Sequence, residues 1–149
     1  MNERSLTGAR RAQPETVMVK QNGDHLLVRM AGGAIFTQGK ASLRRQGRVM
    51  MRKMSRILGK HPDYRINVEG HTDDLPLNSE LRERWGTNWE LSTARAISVI
   101  HCFRKLGVAP DRLAAEGYGP HRPLVSNKTP AERVQNRRIE IIVRPLVQS

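Results

Sequence analysis

With 149 residues, 38% hydrophobic content and no run near the ~20 apolar residues a membrane span needs, the chain reads as one domain with its own core. The lone Cys102 excludes an internal disulfide, and the first residues, Met-Asn-Glu-Arg-Ser-Leu, lack the apolar centre of a signal peptide. The formal charge of +12 is concentrated early: residues 1–60 hold 13 Lys/Arg against 3 Asp/Glu, and residues 61–149 hold 13 against 11.

Taken alone, the missing signal reads as cytoplasmic, unless an anchor or export signal lies outside this sequence. The basic first part is open to phosphates, anionic lipids or acidic wall polymers, and charge sign does not choose among them.

Residues 1–16 show no periodicity and read as a flexible lead-in to a domain spanning 17–147. Asn22-Gly23-Asp24 is a turn signal ahead of a strand at His25–Met30, which Gly32-Gly33 closes. A helix is expected from Leu43 to Leu58, with Ser42 as N-cap and an apolar stripe through Gly47, Met50, Met51, Met54, Ile57 and Leu58. Arg44, Arg48, Arg52 and Arg56 recur every fourth residue on that helix. They read as a solvated outer face; the other reading is contact with nucleic acid or an anionic lipid surface. No aromatic residue interleaves them, as a single-strand stacking surface requires.

A second strand is expected at Arg65–Glu69, followed by a polar corner and a loop from Leu75 to Gly86. Thr87-Asn88-Trp89-Glu90 forms a capping box that opens a helix to about Leu106, with Ala96, Val99, Ile100, Phe103 and Leu106 inward. Cys102 sits within that helical pattern and reads as core packing. Trp85 and Trp89 read as packing or interface residues. Arg112–Gly117 is a third strand. Thr129-Pro130-Ala131-Glu132 is a second capping box for a short helix, and Arg138–Val143 is a last strand. The order β-α-β-α-β-α-β implies an α/β (α+β) domain, a four-stranded mixed sheet covered by helices.

The chemistry gathers at Ile66-Asn67-Val68-Glu69-Gly70-His71-Thr72-Asp73-Asp74, where an alternating strand pattern breaks into polar groups on a rigid support. His71, Asp73 and Asp74 offer three metal-capable groups, but no distant Cys/His pair completes a site, and no cofactor is expected. Asp73 and Asp74 as an acid/base pair would describe a glycan hydrolase. Adjacent residues on an extended strand point to opposite faces, however, so the two cannot readily flank one bond. Asp73 and Arg95 could equally be a structural ion pair.

Gly70-His71-Thr72-Asp73, Asn88-Trp89-Glu90-Leu91-Ser92-Thr93-Ala94-Arg95-Ala96, Gly117-Tyr118-Gly119 and Asn136-Arg137-Arg138-Ile139-Glu140 stand in the order found in OmpA-like peptidoglycan-binding domains. Phe36-x-x-Gly39-x-Ala41-x-Leu43 extends the resemblance, which covers residues 24–145 and is similar above all to the flagellar-stator (MotB) type. The resemblance implies a non-enzymatic domain that grips the diaminopimelate of the peptidoglycan stem peptide. It implies a place in the periplasm or cell envelope, a homodimer, and a membrane-embedded stator partner, with no nucleic acid involved. A general envelope tether unrelated to motility fits the same motifs. In that reading Asp73 accepts the ligand's ammonium, Arg95 holds its carboxylate, and Asn88, Arg137 and Thr72 line the pocket. A fork-shaped guanidinium suits a carboxylate, and a helix N-terminus beside it favours an anion. Arg137 and Arg138 are expected to face opposite ways.

Overall fold

A computed structural model describes residues 17–146. The lead-in expected over 1–16, and residue 147, lie outside the described residues. Strand β1 (Val17–Asn22) pairs antiparallel with β2 (His25–Ala31). Gly23, at φ 62°, takes the left-handed backbone this tight turn requires. A one-turn helix α1 (Gly32–Ile35) follows, then α2 (Arg45–Gly59) and β3 (Tyr64–His71). Next come α3 (Ser79–Trp85), α4 (Asn88–Lys105), a 3-10 turn (Pro110–Arg112) and β4 (Leu113–Gly117). Helix α5 (Pro130–Asn136) and strand β5 (Arg138–Pro145) complete the described chain.

The mixed α+β architecture agrees with the sequence reading, but the sheet has five strands where four were expected, in the order β1-β2-β5-β3-β4. Among these strands only β3 and β4 run parallel, with α4 as the crossover between them. Side chains alternate across the pleat. Val28, Met30, Ile66, Val68, Ile139 and Ile141 face α2 and α4 and make the core with Met50, Met51, Met54, Val99 and Phe103. The opposite register carries Arg29, Asn67, Glu69, Arg138 and Glu140, tied into hydrogen bonds and ion pairs: Glu140 accepts from Arg138 at 2.6 Å and from Arg29 at 3.1 Å.

Two further expectations are corrected. Ser42 does not cap α2, which starts at Arg45 after Arg44, a residue whose side chain makes no cap bond. Residues 36–43 instead close a tight loop, with a Phe36–Leu43 bridge and Arg44 N–H donating to Ile35 O at 2.7 Å. The strand does end at Gly32-Gly33, as expected, and the two glycines also begin α1. The stretch 75–86, expected as a loop, contains α3, capped by Asn78, whose side chain accepts from Leu81 N–H at 2.9 Å. Both capping boxes form as expected, at Thr87/Glu90 and at Thr129/Glu132.

Two glycines set how α4 lies on the sheet. Gly70 and Gly117 are partners in the β3–β4 ladder. A Cβ on Gly70 would stand 2.1 Å from Ser92 O, and one on Gly117 would stand 1.9 Å from Thr93 Oγ1. The first turns of α4 therefore rest directly on backbone at the C-terminal ends of β3 and β4. That contact brings Asn88 and Arg95 toward the corner at Thr72-Asp73.

Candidate functional site

The corner after β3 is built before any ligand arrives. Thr72 N–H donates to Gly119 O at 2.9 Å, Tyr118 N–H donates to Gly70 O at 3.0 Å, and Gly119 N–H donates to Ser92 Oγ at 3.0 Å. These bonds lock the ends of β3 and β4 to one another and to α4. Thr72 and Asp73 are buried, at 6% and 7% exposure, and the chain turns outward at Asp74, which is exposed.

A cleft of about 580 Å³ opens here, and it is lined by Thr72, Asp73, Asn88, Arg95 and Arg137 together. All five residues named from the sequence line this one cleft, from three separate segments: the corner after β3, α4 and the junction of α5 with β5. Leu75, Leu81 and Leu91 give the cleft apolar walls, and Arg44 stands on its rim.

Asp73 is ion-paired with Arg137, not with Arg95. Its other oxygen, Oδ1, accepts from Leu75 N–H at 3.1 Å. Arg137 is held from behind: its carbonyl accepts from Gly32 N–H at 2.9 Å, where a Cβ on Gly32 would come within 3.1 Å. Arg138, the next residue, is buried on the other side of the sheet, donating to Glu140 at 2.6 Å and to Arg122 O at 3.0 Å. The two arginines divide as expected.

Arg95 has no carboxylate within ion-pair range among the described residues. Its Nε donates to Lys40 O at 2.9 Å, and its guanidinium lies 5.0 Å from the centre of the Phe36 ring. Burial, with the charge of Arg137 second, lowers its pKa to about 10. Asn88 Nδ2 donates to Leu75 O at 3.0 Å, bracing the mouth of the cleft.

The sequence reading missed the far wall. Trp85 on α3 donates from Nε1 to Gly39 O at 3.1 Å, and Leu81 packs on Gly39. Helix α3 thus pins residues 38–40, whose backbone also receives Arg95. The signal available was the Asn78 N-cap ahead of Ser79-Glu80.

Trp89 is half-exposed and stacks on His121, with ring centres 4.7 Å apart. His71 stacks on Tyr118 at 5.4 Å and shares its surroundings with Glu69 and Glu140. Its Nε2 lies 3.1 Å from Glu69 Oε1, so it braces the strand end rather than meeting Asp73 and Asp74. Glu140 already answers two arginines, which leaves that trio close to charge balance. The cleft itself presents a buried carboxylate, a cation without a carboxylate partner among the described residues and a backbone-braced amide. Such a set offers pairing groups for both signs of charge.

The OmpA family model matches residues 35–137. Motility protein B of Bacillus subtilis is 33% identical over 132 residues, covering 85% of this chain and 48% of that protein. The peptidoglycan-binding protein ArfA of Mycobacterium bovis is 36% identical over 115 residues, covering 76% of this chain and 33% of that protein. In structure, the cell wall anchor of the T6SS from Pseudomonas aeruginosa superposes with a TM-score of 0.84 at 30% identity, covering 95% of each chain. The chain spans about half the length of the curated relatives it matches first, 48% and 56%. With the family model matching most of its length, this chain belongs to the OmpA family.

Proposed function

We propose that this domain is a non-catalytic anchor that binds peptidoglycan by the diaminopimelate of its stem peptide. The observation that carries the proposal is Arg95, a cation without a carboxylate partner among the described residues, in the same cleft as the buried carboxylate of Asp73. An amino-acid head of the ligand supplies what each lacks. Its carboxylate pairs with the Arg95 fork, and its ammonium approaches Asp73, whose paired Arg137 moves toward the ligand's carboxylate side. Asn88 and Thr72 complete the lining, and no step of bond making or breaking is involved. Two relatives support this reading by what they are named for, ArfA as a peptidoglycan-binding protein and the T6SS protein as a cell wall anchor.

The domain then works in the cell envelope, on the periplasmic side of the inner membrane, tethering a flagellar stator or another envelope complex to the wall. Among the described residues no helix is long and apolar enough to cross a membrane. A homodimer and a membrane-embedded stator subunit are the partners expected of a motor anchor.

The test is sedimentation with purified peptidoglycan, competed by free diaminopimelate and, in parallel, by lysine. Diaminopimelate carries a second amino-acid head where lysine carries only an amine. Displacement by diaminopimelate at concentrations where lysine does nothing is the expected result. Equal displacement by both would remove the assignment of Arg95 to the ligand's carboxylate.

A further inference from the structure

Arg29 and Arg138 on the sheet and Arg84 on α3 have acidic partners, but no cation of α2 has one among the described residues. On the open sheet face Arg29 and Arg138 share Glu140, and on α3 Arg84 reaches Glu80 at 3.9 Å. Helix α2 contains no acidic residue, and Arg44, Arg45, Arg48, Arg52, Lys53, Arg56 and Lys60 make no ion pair among the described residues. All but the half-buried Lys53 are exposed. At about 100° per residue, these seven side chains spread over roughly half of the helix circumference, from the bearing of Arg44 to that of Lys53, along the roughly 22 Å of α2. The end of α4 extends the same face with exposed Arg104 and Lys105. The half-buried Cys102 links the two helices. Burial raises its pKa, while the charges of Lys105, Arg48 and Arg52 all act against that rise, so they converge on one place.

Two features narrow the partner. Of the apolar side chains of α2, Met50, Met51, Met54 and Leu58 are 0–1% exposed and belong to the core, and Val49 and Ile57 are half-buried. The helix therefore has no apolar stripe to insert into a bilayer. No aromatic residue stands on it to stack bases. The face also has a direction, because Arg44, at its start, lines the rim of the candidate cleft and donates to Gly33 O at 3.0 Å.

We propose that the outer face of α2, extended by the end of α4, is a docking track for a linear phosphate-bearing polymer attached to the wall material held in the cleft. Seven cations over about 22 Å match a chain with an anion in every repeat unit better than sparse stem-peptide carboxylates. The track rests on the reading of the cleft as a peptidoglycan site, and it makes wall binding bivalent: a specific head in the cleft and a salt-sensitive tail along α2.

The test compares wild type with Arg45→Glu/Arg52→Glu/Arg56→Glu, three residues that neither line the cleft nor make a side-chain hydrogen bond among the described residues. The corresponding triple Gln variant serves as a second probe should charge reversal disturb the fold. Binding is measured to wall that retains its phosphate polymers and to the same wall stripped of them. Wild type should prefer the phosphate-bearing wall by about tenfold at low salt and lose that preference as salt rises. The variants should bind both walls as wild type binds the stripped one. Equal preference in wild type and variants overturns the track, as does tighter binding to vesicles of about 30% anionic lipid than to phosphate-bearing wall. Displacement from stripped wall by free diaminopimelate reports the cleft alone, so a failure there is separable from a failure of the track.

Discussion

Asp73 and Arg137 are joined in an ion pair across the cleft, and Arg95, the other cation deep in it, is left without a carboxylate among the described residues. The asymmetry separates two jobs. Arg137 orients a buried carboxylate in the absence of ligand, and Arg95 holds a charge with no carboxylate partner among the described residues. A free site carrying an uncompensated, partly buried cation is less stable than it needs to be, a common cost of a preorganised binding site.

That cost is measurable. Arg95→Met keeps the volume, removes the charge and retains contact with Phe36. We expect the free domain to be stabilised by about 1 kcal/mol, after the loss of the bond to Lys40 O and of the cation–π contact with Phe36, while binding to wall is lost. Thermal unfolding and wall sedimentation of the same preparation check both halves. A clear loss of stability would mean that Arg95 is structural.

The contact of α4 with the sheet makes a second prediction. Gly70→Ala and Gly117→Ala place a Cβ 2.1 Å from Ser92 O and 1.9 Å from Thr93 Oγ1, respectively. Each should cost about 3 kcal/mol, lowering the melting temperature by roughly 10 °C. Gly59→Ala is the control, since a Cβ there meets nothing within 4 Å, and it should be neutral or slightly stabilising. If Gly70→Ala melts like wild type, α4 is not seated on backbone at that point.

The open sheet face predicts a response to acid. Burial raises the pKa of Glu140, but the hydrogen bonds and charges of Arg138 and Arg29 outweigh it and hold the carboxyl below its ordinary value of 4.5. A carboxyl with a lowered folded pKa stabilises the fold above its unfolded pKa. That contribution is lost as pH falls from about 4.5 through the folded value. Glu140→Gln should therefore flatten stability against pH in that acid window. It should also cost about 3 kcal/mol at neutral pH, because it leaves buried Arg138 without its counter-charge. Denaturant titrations from neutral to acid pH read both effects.

Local signals in the sequence carried a large part of this structure. The two capping boxes, the glycine ends and the alternation of Ile66–Glu69 are short-range patterns, and α4, α5, β3 and β5 follow from them. Strand β1 escaped because it is an edge strand. Only Val17 is fully buried there, and its outer half is exposed, so its alternation never develops. Helix α3 escaped because none of its seven residues is buried, leaving no apolar period to read. The five cleft residues were legible through resemblance to a family, not through spacing. Asp73 and Arg137 lie 64 residues apart, and no local rule pairs Asp73 with Arg137 in preference to Arg95.

The central claim is that one buried carboxylate and one arginine without a carboxylate partner among the described residues together hold an amino-acid head. Calorimetric titration of free diaminopimelate into wild type, Asp73→Ala and Arg95→Ala tests it most directly, with melting curves confirming that each variant is folded. Each charge-assisted contact is worth about 1.5–3 kcal/mol, so each variant should weaken binding by roughly 10- to 100-fold. Wild-type affinity in both folded variants would contradict the account.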